Sequence, residues 1–406
     1  IMASLMTLSE IGYPKRYHVG PLPALRLCRT SPVVFRKRIN AKTQVGASLL
    51  DTLTSSRNSL CQILEAQPVG PDVVDRVTAA VTDYSSRLRG VFASTAGGTD
   101  FNSPARRACG KFAWTQWIDG TTGNGPDDAV YDLACVFVAA TVVMHYVAVN
   151  EAGKQDDEEA MKRAFRALRA AISWITYVEE TLLPELDAAT LPQSMQPPSI
   201  TFLKSLCAAH AQEFTVARAE AVGHDPALIA GLAAAATKSF SDAMTNVPVV
   251  SGSSGKKQTK AWQDYCRMKV AFFRADTYHH MAHNLASDKG GKKPEYGQAV
   301  KAGEAGLKQL EAAVAVAAQY AKDTKMTVAA LPQVETTGRR MKKDADVYVD
   351  PVASHSRPHM SLDTPSHDTC HCLTRALAVA ATQTTYDMSH SHDVSFTQHV
   401  SVCRPR

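Results

Sequence analysis

KVAFFRADTY, residues Lys269 to Tyr278, is the middle of three short signatures spread over a run of long, Ala-rich amphipathic segments. Ala211-Gln212-Glu213 precedes it, and DADVYVDP, Asp344 to Pro351, follows it. Between Asp127 and Thr324 the periodicity predicts helices over Asp127–Asn150, Asp156–Leu183, Ser199–Val222, Asp225–Asn246, Thr259–Ser287 and Pro294–Thr324. The breaks between them (PQSMQPP, GHDP, VPVVSGSSGKK, SDKGGKKP) have turn composition. Long helices joined by short loops pack as antiparallel neighbours. The fold class is therefore all-α: an elongated, curved helical solenoid with a tetratricopeptide-like core, although no strict 34-residue repeat is present.

Upstream, Val45, Leu49, Leu50, Leu53, Leu60, Ile63 and Leu64 mark one helical face, and a second helix spans Asp72 to Val91. KFAWTQWID, Lys111 to Asp119, alternates with period two and is aromatic-rich, so a small β-hairpin is expected near residue 112. Leu133 to Val149 is apolar on all sides, contains His145, and is flanked by Asp132 and Glu151. It reads as the inner helix of a solenoid rather than a bilayer span.

The 406 residues are 45% hydrophobic and 20% charged, with a formal net charge of +5. That balance gives weak attraction to an anionic membrane surface, and it lacks the basic stripe of a nucleic-acid binder. The nine Cys have no repeated spacing, and Cys135, Cys207 and Cys266 fall in apolar helical patterns as buried free thiols. No signal peptide is expected from Ile1 to Leu8, which lacks a basic region before it. The stretch after Pro351 is rich in His, Ser and Thr and is expected to be disordered.

With Phe112-Ala113-Trp114, Tyr131 to Ala140 (YDLACVFVAA), Ala170 to Glu180 (AAISWITYVEE) and Gly303 to Leu310 (GEAGLKQL), the three signatures occur in an order that resembles the Bro-one domain family of Alix-type endosomal sorting adaptors. The resemblance is that of a distant member, in the plant-type or isolated-domain branch. It covers Lys15 to Pro351 and departs from the family where Val136 to Ala139 lacks the usual Asn. It divides the chain into an N-terminal extension (1–15), the domain (16–355) and a tail (356–406). It implies a non-catalytic, monomeric, cytoplasmic adaptor recruited to the endosomal membrane. The implied partner is the C-terminal amphipathic helix of an ESCRT-III subunit. Carried over by position, Leu228 and Leu232 are the aliphatic contacts and Lys162 the basic one, while Thr215 stands where Alix-like members place an aromatic. Both leucines are expected at the surface. Core packing is the plain alternative for them, and a generic tetratricopeptide-like peptide scaffold is the alternative function.

No catalytic motif appears. GSSGKK, Gly252 to Lys257, has the wrong spacing for a phosphate loop and reads as a flexible loop. In YHHMAH, His279 and His283 share a helical face, but no adjacent Glu base or third ligand is evident. Cys370-His371-Cys372 with His367 is too short a cluster to close a zinc site. No metal or cofactor is expected. Cys403 lacks the aliphatic residues of a prenylation box.

Overall fold

The computed structural model describes residues 25–66, 70–92, 107–152, 157–250, 252–287 and 293–324. The Asp344–Pro351 signature, the Cys370–Cys372 cluster, Cys403 and the tail lie outside them. Eight α-helices are described: α1 Gln44–Glu65, α2 Val73–Phe92, α3 Ala129–Ala152, α4 Glu158–Tyr177, α5 Pro197–Val222, α6 Pro226–Thr245, α7 Gly252–Ala286 and α8 Tyr296–Thr324. From α3 onward consecutive helices pack on one another in chain order. The result is an all-α solenoid.

Side-chain caps set the helix starts. Thr43 accepts from the Gly46 amide at 3.0 Å, Asp157 from Ala160 at 3.0 Å and Asp225 from Ala227 at 2.8 Å. Pro226 occupies the first turn of α6. Gly223 closes α5 in the left-handed region, φ +74°, which turns the chain directly into α6.

The hairpin is shorter than the alternation suggests. Only β1 (Ala113–Thr115) and β2 (Thr122–Asn124) pair, antiparallel, with Trp114 opposite Gly123. Thr30 of the lead-in segment bridges to Trp114 from the other side. Trp117 leaves the strand, is fully buried, and donates its indole N–H to the Ser194 carbonyl at 3.0 Å.

α3 is long and apolar enough to cross a membrane, yet 89% of its apolar window is buried by the rest of the protein. It is the inner helix that its uniform hydrophobicity implies. Cys135, Cys207 and Cys266 are buried and free. Burial pushes the Cys207 and Cys266 thiols up to about 12, which removes thiolate reactivity.

Two expectations need correction. The α4 helix ends at Tyr177 and continues as a π-helical turn, Val178–Leu182. The Gly252–Lys257 stretch is the first turns of α7 rather than a loop. A side chain at position 255 would place its Cβ 2.7 Å from the Val250 backbone, so Gly255 lets the helix start against the incoming chain. Thr259, expected to begin the helix, instead binds that chain from inside it. Its hydroxyl donates to Pro248 O at 3.1 Å and accepts from Val250 N at 3.0 Å.

A polar line crosses the interior where α3, α5 and α7 meet. His145 Nε2 lies 2.8 Å from His210 Nδ1, and His210 Nε2 lies 3.0 Å from the Tyr265 hydroxyl. Lys269 and Glu213 lie nearby on α7 and α5, and Lys269 further lowers the affinity of His210 for a proton. Burial pushes His145 down to about 4 and His210 well below its ordinary value. Both are neutral in the folded protein and charge readily once unfolded near 6.5. The unfolded chain therefore binds more protons as pH falls below about 6.5, and stability is lost from there toward pH 4. Each histidine should contribute a slope of up to about 1.4 kcal/mol per pH unit in that window. Urea titrations from pH 7 to 4.5 measure it, and His145→Gln should remove about half of that histidine-dependent slope.

Candidate functional site

A groove of about 370 Å³ lies between α4 and α5. Met161 and Phe165, one turn apart on α4, form one wall, and Phe214 and Thr215 of α5 form the other. Thr215 donates its hydroxyl to Ala211 O at 3.0 Å, so its hydrogen-bond donor is satisfied within its own helix. Met161 and Phe214 are buried, while Phe165 and Thr215 are half-buried. The floor is apolar.

The rim is cationic. Lys162, Arg166 and Arg218 line it, with Glu158 as the one acidic lining residue among the described residues. Lys162 is shared by Glu159 at 2.8 Å and Glu158 at 3.2 Å, and Arg166 holds Asp75 at 2.6 Å. No ion pair reaches Arg218 among the described residues, and it is exposed. These solvated pairs hold little energy and can exchange partners.

Of the four residues carried over from sequence, Lys162 and Thr215 share this groove. Leu228 and Leu232 stand on α6, outside its lining but one helix away, where Gln212 of α5 donates to Leu232 O at 3.2 Å. Leu228 is 44% exposed, as expected. Leu232 is half-buried and packed against the core, so the expectation of two surface leucines holds for Leu228 alone. Ile229 and Ala233, on the neighbouring face, are buried. Sequence reasoning missed Met161, Phe165, Phe214, Arg166 and Arg218. Their signal was present as three i, i+4 pairs (161/165, 162/166 and 214/218), but such pairs also mark ordinary core and solvated faces.

Below the groove, two of the opening signatures meet. Lys269 of KVAFFRADTY donates to Glu213 of the Ala-Gln-Glu signature at 2.6 Å, with both side chains buried. Burial raises the Glu213 carboxyl, and Lys269 opposes that rise. The ammonium lies 5.8–6.0 Å from the ring centres of Tyr265, Phe240 and Phe273. This pair locks α5 to α7 behind the groove wall.

The histidine cluster also gains neighbours that the linear reading did not count. His280 lies 2.6 Å from Glu220 Oε1 at the end of α5 and 3.7 Å from Asp276 Oδ1, one turn earlier on α7. His279 and His283 stack edge to face beside it, with centres 4.5 Å apart.

An apolar cleft with basic side chains on its rim thus stands between two helices of the solenoid. The chain is a BRO1-like domain protein: residues 101–363 match that family, and the chain belongs to it. It is 29% identical over 281 residues to the BRO1 domain-containing protein BROX of Xenopus tropicalis and 28% identical to that of Homo sapiens. These alignments cover 68% of this chain and 64% of each relative. Among solved structures, the ALIX BRO1 CHMP4C complex matches with a TM-score of 0.59 at 17% identity, covering 84% of this chain and 91% of that one. A structure described as the basis for endosomal targeting by the Bro1 domain matches with a TM-score of 0.61 at 14% identity, covering 88% and 96%. These two likenesses establish the fold.

Proposed function

We propose that this chain is a non-catalytic adaptor of endosomal sorting that binds the C-terminal amphipathic helix of an ESCRT-III subunit. The groove between α4 and α5, with Leu228 and Leu232 beside it, receives the helix. One observation carries the reading: Lys162 and Thr215, distant in sequence, line a single apolar cleft whose rim is basic. An acidic amphipathic helix matches that cleft in both hydrophobicity and charge. Membership of the BRO1-like family and the CHMP4C bound in the ALIX complex support the assignment. The protein then acts as a cytoplasmic monomer drawn to the endosomal surface, where its formal net charge of +5 adds weak attraction to anionic lipid.

The test is fluorescence anisotropy with labelled C-terminal helices of ESCRT-III subunits and a scrambled peptide of equal charge. Saturable binding of the amphipathic peptide alone is expected, weakening as salt rises. Equal binding of the scrambled peptide would point instead to a general basic scaffold.

A further inference from the structure

Asp276 and His280 are one helical turn apart on α7, so their donors face the same way. Glu220, from the last turn of α5, reaches the same point. One ligand atom from each residue lies within 4.8 Å of the other two. Asp276 is fully buried, and the side chains of His280 and Glu220 are 9% and 8% exposed. All three sit on long helices whose backbones fix their positions, and the Lys269–Glu213 pair locks those two helices two turns away.

We propose that Glu220, Asp276 and His280 bind a divalent transition-metal ion, zinc by their chemistry, which ties the end of α5 to α7. Two ligands at about 2.1 Å from a tetrahedral ion stand about 3.4 Å apart. His280 stands 2.6 Å from Glu220 and 3.7 Å from Asp276. Carboxylate movements of under about 1 Å convert this arrangement into a ligand set. The mixture of one imidazole and two carboxylates suits zinc and its first-row neighbours, whereas calcium and magnesium favour oxygen alone. Imidazole Nε2 coordinates only without its proton, so the ion takes the place of the proton shared between His280 and Glu220. Three ligands from the described residues leave a fourth position for water or another donor. The sequence hides the site because its third ligand comes from another helix, and because Asp276 precedes the His pair where a search for a zinc-enzyme motif looks after it.

The experiment uses the full chain, treated with chelator and titrated with cobalt and then zinc. One cobalt per chain should give weak visible bands without the intense thiolate charge-transfer band that cysteine ligation adds, and zinc should displace it. Glu220→Gln and Asp276→Asn should each weaken zinc binding at least about tenfold by calorimetry. A Cys370→Ser, His371→Ala, Cys372→Ser chain should bind as the parent does. Circular dichroism checks folding, and should Asp276→Asn misfold, Glu220→Gln, at the end of α5, carries the comparison. The proposal is overturned if the parent chain takes up no ion, if a thiolate band accompanies uptake, or if Glu220→Gln binds with unchanged affinity. In those cases the three side chains are an ion-free polar cluster at the α5–α7 contact.

Discussion

Replacing Asp132 by alanine should cost about 3–5 kcal/mol, a large share of the roughly 5–15 kcal/mol that holds a domain together. The carboxylate is fully buried and receives four donors. Arg57 gives Nε at 3.0 Å and Nη2 at 2.8 Å, Tyr84 its hydroxyl at 2.6 Å, and Trp114 its indole N–H at 2.8 Å. Arg57 is equally buried and also donates to Ser31 O and Thr30 Oγ1, at 3.2 and 3.1 Å. Its guanidinium lies 5.5 Å from the ring centres of both Phe112 and Trp114. The lead-in segment, α1, α2, β1 and α3 therefore meet at one ion pair. Alanine at 132 leaves a buried guanidinium without its counter-charge and orphans the Tyr84 and Trp114 donors. Urea unfolding should show a lower midpoint at unchanged slope. Arg57→Met combined with Asp132→Leu should recover much of the loss, because it removes both charges together. A cost below about 1 kcal/mol for Asp132→Ala would mean that water reaches the pair in solution.

This network shows what was legible in the sequence and what was not. The alternation around Phe112 and Trp114 announced a strand, because a pleated segment displays its two faces in its own text. Nothing local announced that Trp114, Tyr84 and Arg57 converge on Asp132, since those contacts span 18 to 75 positions. The Ala-Gln-Glu signature and Lys269 stood out only as family marks, and their physical reason, a buried Lys269–Glu213 pair, exists only across two helices. The solenoid helices were readable because Ala, Leu and Val repeat with helical period over 20 or more residues. The first turns of α7 were not, because their Gly and Ser are loop-forming by propensity and contacts with Pro248 and Val250 override that preference. The groove was half legible. Lys162 and Thr215 came from resemblance, whereas Phe165, Phe214 and Arg218 could be told from core or solvated residues only once α4 and α5 were seen side by side.

Leu228→Asp should weaken binding of the ESCRT-III helix by about 2 kcal/mol, close to 30-fold, while leaving the fold intact. Leu228 is 44% exposed, so a charge there stays in water in the free protein and should change stability by no more than about 0.5 kcal/mol. In the complex the same charge is pressed against the apolar face of the bound helix without a partner. Leu232→Asp is the poorer test, because Leu232 packs on the core and its substitution should lower the melting temperature as well. The rim charges should act differently. Arg218→Glu should slow association and weaken binding most at low salt, because Arg218 is exposed and has no ion pair among the described residues. Lys162→Glu should do so less, since Lys162 already divides its charge between Glu158 and Glu159. Anisotropy at two salt concentrations and a thermal melt for each variant separate the three effects. If Leu228→Asp folds and binds normally while Arg218→Glu weakens binding, the helix lies along the α4–α5 cleft without touching α6. If neither changes binding, the contact surface is elsewhere on the solenoid.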